Sequence, residues 1–350
     1  TGIGDYSFDD FDTAMRKGVA KDGHHLYPAM PYPSYAKILA DDMRALYDYF
    51  MTEVEPVNLA NQDNDIPAVL NWRWPLAVWN VLFVEDQPYE SEDSQSEAWN
   101  RGAYLVQGLG HCGACHTPRG RAFQEKGLDE SDDEAFLAGA PLDHWSASSL
   151  NGDINSGLGR WTEADISEFL KTGKNRYGTA IGTMVEVVNN STQYMTDGDL
   201  TAMAVYLKSL PAVAEAGDTP YAYDEAATLA LGNMTFDEPG SVTYYQYCVS
   251  CHQYDGGGHM AEQATYMPPL AGNPVVLDPD ASSLINLTLN GSLRVIADGR
   301  PEHYDMPYFR GALTDEEIAD VVSYIRSSWG NMASEVRAAD VTEIRRSEER

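Results

Sequence analysis

Two short motifs contain all four cysteines of this chain and constrain its fold more than any other feature. Each is a C-x-x-C pair followed directly by histidine, the first ending at His116 and the second at His252. Two thiols one helical turn apart can form thioether bonds with the two vinyl groups of one porphyrin, and the next imidazole then points at the iron. The spacing predicts c-type haem attachment, with both histidines as proximal ligands. The attachment cysteines would be Cys112, Cys115, Cys248 and Cys251.

A structural zinc site and a thioredoxin-like redox site are the alternative interpretations of a C-x-x-C pair. The second pair of a zinc site usually follows within roughly 15–20 residues, whereas the two pairs here are more than a hundred residues apart. A redox motif requires no histidine after its second cysteine, yet both pairs have one. The pattern therefore favours haem over zinc or thiol exchange.

Composition indicates a folded, acidic protein. The 350 residues are enough for roughly two or three domains, and 43% of them are hydrophobic. The formal net charge of −31 argues against nucleic-acid binding, because phosphate recognition needs clustered Lys and Arg. The acidic surface could steer a basic partner or serve solubility, and the dispersed acids favour solubility. The longest apolar run, 74–84, is too short to span a bilayer, which needs about 20 residues.

An internal repeat predicts tandem small helical domains. The opening residues 1–7 parallel residues 156–162, and both strings lead into a short helix that should end at a glycine, Gly18 or Gly173. A third, more diverged copy runs from a helix around Leu284–Leu289 to Met306. Each copy closes with an amphipathic helix. We expect capping residues at Thr162, Thr196 and Thr314, where threonine precedes an acidic residue by three positions.

Each copy of the repeat carries a methionine in the same place, and methionine is the usual second axial ligand in cytochromes c. Met184 occupies this position in the second copy, with Met195 as its rival. Met306 occupies it in the third copy. Met30 is the matching residue of the first copy, which has no C-x-x-C-H motif. The rivals of Met306 are Met260 and Met267.

Long strings of the chain resemble the triple-haem cytochrome c subunit of membrane-bound bacterial dehydrogenases that oxidise alcohols, gluconate or sorbitol. These strings cover nearly the whole chain and lie at residues 1–4, 25–35, 98–105, 111–120, 158–161, 191–194, 269–273 and 324–331. The resemblance implies an all-α fold of tandem class I cytochrome c domains. The domain boundaries we expect are 1–54 for a partial domain, 55–95 for an aromatic linker, 96–213 and 221–332 for two cytochrome c domains, and 333–350 for a charged tail.

The same resemblance implies the role of the chain. It would be a non-catalytic periplasmic subunit, peripherally associated with the outer face of the bacterial inner membrane. It would pass electrons from a catalytic subunit with a flavin or quinone cofactor to ubiquinone or another quinone. Two haem c groups are expected in this chain. A third is expected upstream of Thr1, because the first copy of the repeat lacks its attachment motif.

Two other functions remain open at this point. A di-haem c-type peroxidase would need one iron with an open or displaceable distal position and an acid or base beside it. The methionine in each repeat argues against this reading. The cytochrome subunit of a terminal oxidase, or of another oxidoreductase, would differ from a dehydrogenase subunit only in its partner, so only the resemblance separates them.

Overall fold

Helices dominate the structure, a computed structural model that describes residues 2–60, 66, 71–131, 135–213, 219–260, 266–298, 300–301 and 304–347. Its contacts divide the chain into two compact units, Thr1–Phe136 and Leu137–Arg350. The described strands form four two-stranded antiparallel hairpins. The predicted helical class is therefore confirmed.

The first unit consists of six α-helices and a π-helical turn among its described residues. The elements are α1 (Phe8–Lys17), α2 (Tyr32–Tyr35), α3 (Ala40–Thr52), α4 (Pro75–Phe83), α5 (Glu97–Tyr104), the π-helical turn Leu105–Leu109 and α6 (Gly113–His116).

Helix α1 begins and ends where the sequence predicts. Ser7 forms a capping box with Asp10, which satisfies free backbone N–H groups of the first turn. The helix stops at Gly18, whose φ of 60° is the left-handed conformation that favours glycine. Near its C-terminus, the buried Arg16 donates to the carbonyls of Ala36 and Ile38, each at 2.6 Å. This guanidinium joins α1 to the segment between α2 and α3.

Helix α4 lies within the segment that the sequence predicts to be an aromatic linker, residues 55–95. Trp79 stacks edge-on against Tyr32 and donates from its indole nitrogen to the Ala122 carbonyl at 2.8 Å. Trp72 and Trp74, at the N-terminal side of α4, are exposed. Within the first unit, the helix therefore packs through one side only. Its described residues leave the other side in solvent.

The second unit alternates helices with the four hairpins. Its helices are α7 (Glu163–Thr172), α8 (Met184–Asn190), α9 (Asp197–Ser209), α10 (Ala226–Gly232), α11 (Ser241–Tyr247), α12 (Val249–His252), α13 (Pro274–Leu277), α14 (Ser282–Asn290), α15 (Asp315–Ser327) and α16 (Ala338–Ser347). Its strands are β1 (Ala140–Leu142), β2 (Trp145–Ala147), β3 (Lys174–Asn175), β4 (Gly178–Thr179), β5 (His259–Met260), β6 (Tyr266–Met267), β7 (Ile296–Ala297) and β8 (Arg300–Pro301).

The expected caps of the second unit are present. Thr162 and Thr314 each form a capping box, and the Thr196 hydroxyl accepts the Asp199 N–H at the start of α9. Helix α7 ends at Gly173 with a φ of 71°. These signals are local, so they can be recognised without knowledge of the tertiary fold.

One hydrophobic core joins α11, α14, α15 and α16 in the second unit. Tyr244 of α11 and Trp329, just after α15, are both buried and their rings lie 5.1 Å apart. Helix α16 falls within the segment predicted as a charged tail. It buries Val341 and Ile344 in this core, although its other side chains are mostly polar.

The predicted domain boundaries do not coincide with the two units, since residues 96–213 contribute to both. The second unit contains all of the predicted third domain, residues 221–332. Within the second unit, Arg160 donates to the Gly272 carbonyl at 2.5 Å, and Tyr266 donates to the Asn175 carbonyl at 2.7 Å. The stretch between the predicted domains 96–213 and 221–332 includes residues 214–218, which lie outside the described residues. The domain boundaries stay predictions.

Candidate haem sites

Helices α11 and α12 position the second C-x-x-C-H motif. Gly240 precedes α11 with a φ of 80°, and a Cβ there would lie 2.2 Å from the Asp320 carbonyl oxygen of α15. This close approach fixes the helix that leads into the motif. The Cys251 and His252 N–H groups both donate to the Cys248 carbonyl, at 3.1 and 2.9 Å. A single helical turn therefore separates the two sulfurs, as double attachment to one porphyrin requires.

The number of donors around the second motif does not suit zinc. Burial, with a smaller contribution from Cys251, raises the pKa of the Cys248 thiol to about 12, but a bound metal ion would deprotonate the thiol all the same. A structural zinc ion takes four protein ligands. Over the part of the chain that the structure describes, no three His, Cys, Asp or Glu side chains are grouped closely enough to hold a metal ion. The cysteine pair therefore lacks the protein donors of a four-coordinate zinc site.

His252 is oriented by a backbone carbonyl. Its Nδ1 lies 3.0 Å from the Pro268 oxygen, and a carbonyl can only accept, so Nδ1 carries the proton. The lone pair is then on Nε2, which is the nitrogen left for iron. Burial lowers the pKa of this imidazole, and the neutral form is the one that binds a metal. The donor set of the motif thus fits haem c.

The sequence did not identify Pro268 as a functional residue. No proline directly follows His252 in the sequence, and the motif itself does not indicate a carbonyl partner for the imidazole. Pro268 follows His252 by sixteen positions and comes immediately before the Pro269–Asn273 string of the resemblance. Every residue has a backbone carbonyl, so residue type gives no signal. Only the position of Pro268 directly before this string could have indicated its role.

Buried aromatic side chains hold the backbone that follows His252. The Tyr244 hydroxyl donates to the Gln253 carbonyl at 2.7 Å, and the Trp329 indole donates to the Tyr254 carbonyl at 2.9 Å. The first bond connects the residues after the motif to α11, and the second connects them to the end of α15. The orientation of the imidazole is consequently supported by the hydrophobic core of the second unit.

Met306 lies in the same unit and is fixed by Ser292. The Met306 N–H donates to the Ser292 hydroxyl at 2.8 Å, and the Ser292 N–H donates to the Met306 carbonyl at 3.2 Å. Its side chain is half-buried. Met267, a rival, directly precedes Pro268, whose carbonyl faces Nδ1 of His252. The side chain of the other rival, Met260, lies outside the described residues.

The first motif repeats the local geometry of the second. The Cys115 and His116 N–H groups donate to the Cys112 carbonyl at 3.2 and 2.9 Å, so the two sulfurs are again one turn apart. Burial raises the pKa of the Cys112 thiol to about 12. Arg119 donates to the Ala114 carbonyl at 2.5 Å and closes the turn. The spacing of the two sulfurs therefore fits haem c in both motifs.

The remaining predicted methionines lie in three different places. Met184 is the first residue of α8 and packs, half-buried, against a small cluster that includes Val185, Val188 and Val295. It belongs to the second unit, whereas His116 belongs to the first. Met195 follows a 3₁₀ turn and is half-buried. The pairing of either methionine with the first motif stays a prediction.

Met30 lies in the first unit, in the turn that leads into α2. Its N–H donates to the Tyr27 carbonyl at 3.2 Å, and its own carbonyl accepts the Tyr32 N–H at 2.8 Å. These bonds fix the backbone beside the half-buried side chain. A ligand role for Met30 stays a prediction.

Comparison with known proteins identifies part of the second unit directly. The cytochrome c family model matches residues 238–329. This span includes the second motif, Pro268 and Met306. It confirms that the chain contains a cytochrome c domain.

Three relatives cover almost the whole chain. The gluconate 2-dehydrogenase cytochrome c subunit of Pantoea cypripedii is 46% identical over 99% of this chain and 79% of its own length. The cytochrome c subunit of the quinone alcohol dehydrogenase of Gluconacetobacter polyoxogenes is 47% identical over 98% of this chain and 73% of its own length. The fructose dehydrogenase cytochrome subunit of Gluconobacter japonicus is 35% identical over 98% and 72%. The chain belongs to the family of cytochrome c subunits of dehydrogenases.

Proposed function

We propose that this chain relays electrons from the catalytic subunit of a dehydrogenase through two covalently attached haem c groups. When bound, each haem supplies an iron that cycles between Fe(III) and Fe(II). The attachment residues are Cys112 with Cys115 and Cys248 with Cys251. The proximal ligands are His116 and His252, and the distal ligands are Met184 and Met306. The two haems occupy tandem cytochrome c domains at 96–213 and 221–332.

The observation that carries this proposal is the hydrogen bond between Nδ1 of His252 and the Pro268 carbonyl. It fixes the tautomer that leaves Nε2 for iron, next to two cysteines one turn apart. Thiol exchange does not require an imidazole that is fixed in this orientation and tautomer. An axial pair of histidine and methionine needs little reorganisation on electron transfer, because both positions on the iron stay filled.

The names of the relatives support a dehydrogenase as the partner. They are subunits of gluconate, alcohol and fructose dehydrogenases, and the catalytic subunit beside this chain oxidises a substrate of that kind. We place the chain in the periplasm, at the outer face of the inner membrane, with ubiquinone or another quinone as the acceptor. None of the relatives named above is a peroxidase. Among the described residues, no helix is long and apolar enough to cross a membrane.

Haem counting tests the proposal. Expressed in a periplasm with haem-maturation machinery, the chain should keep its haem on a denaturing gel, and intact mass analysis should show two haems added. The Cys248→Ala/Cys251→Ala variant should carry one haem, because it retains only the first motif. The matched Cys112→Ala/Cys115→Ala variant should carry one as well. A parent protein with one haem or none would contradict the proposal.

A further inference from the structure

An amide pair, Asn189 in α8 and Gln193 in the 3₁₀ turn after it, binds the backbone of residues 294–298. Asn189 donates from Nδ2 to the Arg294 carbonyl at 3.1 Å, and its Oδ1 accepts the Ile296 N–H at 2.8 Å. Gln193, four residues later, donates from Nε2 to the Ile296 carbonyl at 3.0 Å, and its Oε1 accepts the Asp298 N–H at 3.1 Å. Two side-chain amides thus satisfy backbone groups of alternate residues in 294–298, as a neighbouring strand would.

The segment that this amide pair holds is also bound to Met306. The Arg294 guanidinium donates to both carboxylate oxygens of Asp305, at 2.8 and 2.5 Å. Such a two-point contact fixes orientation as well as distance. Ser292 exchanges two hydrogen bonds with the backbone of Met306. Residues 292 and 294 therefore set the position of the chain at 305–306.

Apolar side chains also hold the same segment in place. Val295 is fully buried and lies in the cluster formed by Ala180, Val185 and Val188. Met184 packs against this cluster. The segment before Met306 therefore packs against the helix that begins with Met184. The amide hydrogen bonds and the contacts among the valines both join them.

We propose that Asn189 and Gln193 are positioning residues for Met306. They hold residues 294–298 in the conformation that, through Arg294 and Ser292, presents the Met306 sulfur to iron. This inference rests on the proposed ligation of haem by Met306. It adds a dependence of the third repeat on the second, since the amides come from the second repeat and the ligand from the third. Without them, the methionine is more easily displaced from iron.

The test measures displacement of methionine by imidazole in the full chain with its haems attached. The Asn189→Ala/Gln193→Ala variant loses four hydrogen bonds to residues 294–298 and the bond from Gln193 Nε2 to the Asn189 carbonyl. Water replaces some of these bonds, so the net loss is only part of their sum. We expect the haem attached at Cys248 and Cys251 to bind imidazole about tenfold more tightly. The weak sulfur-to-iron band of its oxidised spectrum should decrease in parallel. Asn190→Ala is the matched control, because Asn190 is exposed on the same helix; it should behave as the parent does.

Two further variants separate the inference from the ligand assignment. In a Met306→Ala background, the amide substitutions should cause no further change in the imidazole affinity or the spectrum of this haem. If Met306→Ala leaves the spectrum of the parent intact, the proposed ligation is wrong. If Met306→Ala abolishes the band but the amide variant binds imidazole with the parent's affinity, the positioning role is wrong.

Arg294→Gln decides the question if the amide variant does not fold. This substitution removes an exposed pair, so it should leave the fold intact. It should still raise the imidazole affinity of the same haem. Parent-like affinity in Arg294→Gln would overturn the inference.

Discussion

At the scale of single residues, buried charge is concentrated around one carboxyl of the second unit. Arg326 is fully buried and donates to the carbonyls of Val276 and Asp278, at 3.0 and 2.8 Å. The Asp278 side chain is buried too, and this burial raises its pKa to about 6. Its Oδ1 accepts the Asp280 N–H at 2.9 Å. The Arg326 guanidinium hydrogen-bonds to the backbone of Asp278 and not to its side chain. The positive charge of Arg326 therefore stabilises the charged carboxylate only weakly.

The raised pKa of Asp278 predicts a loss of stability as the pH rises. Between the usual carboxyl value of 3.8 and about 6, the folded chain binds more protons at Asp278 than the unfolded chain. The free energy of unfolding must fall with rising pH across this range and stay low above it. Asp278→Asn should therefore stabilise the protein by about 1–2 kcal/mol at pH 7.5 and by almost nothing near pH 4.

Urea denaturation at the two pH values measures this difference. Asp143→Asn is a suitable control, because it removes one negative charge from an exposed position in the neighbouring hairpin. Equal stabilisation by both substitutions would assign the effect to net charge and not to burial.

At the scale of elements, α16 shows how a polar segment can complete a core. The Arg345 guanidinium donates to Asp315 at the start of α15, at 2.5 Å, and also to the Leu313 carbonyl at 3.0 Å. Val341 and Ile344 are three positions apart and share one face of the helix. Two buried side chains in a charged sequence form too short a pattern to predict a packed helix. The sequence alone therefore gave no reason to expect this element in the core.

Removal of the apolar contact of α16 should destabilise the second unit. Ile344→Ala is expected to cost about 2–4 kcal/mol, because Ile344 is almost fully buried and its site can relax only partly. Glu343→Ala, at the exposed neighbouring position, should cost less than about 0.5 kcal/mol. Denaturant titration of both variants gives the comparison. Equal stability of Ile344→Ala and the parent would mean that α16 is detached in solution.

At the scale of the whole molecule, the net charge of −31 is a source of self-repulsion. Salt screens such repulsion, with a Debye length that falls from about 30 Å at 0.01 M to about 10 Å at 0.1 M. We expect the melting temperature to rise by roughly 1–3 °C over this range, equivalent to about 1–2 kcal/mol. NaCl and KCl should act equally, because screening depends on ionic strength. A melting temperature that is independent of salt would show that the acids are locally compensated.

Sequence and structure agree where the determinant is local. The capping boxes at Ser7, Thr162 and Thr314 span four residues each, and each cysteine motif spans five, so the chain itself contains the whole signal. The carbonyl of Pro268 and the amides that hold residues 294–298 depend on tertiary contacts. Asn189 and Ile296 are 107 positions apart, and no local pattern indicates that they meet.

The long separation of these partners has a consequence for how the protein is made. The valines of α8 and the hairpin at 140–147 find their partners only after residues 283–298 have been synthesised, since Ser146 bonds Ser283 and Val185 packs with Val295. Closing such large loops is slow, because chain entropy is lost before any contact is gained. Cys248 and Cys251 are thus already translated while the second unit is still open. The enzymes that attach haem would meet these thiols on an unfolded chain, and the two sulfurs would become partly buried only afterwards.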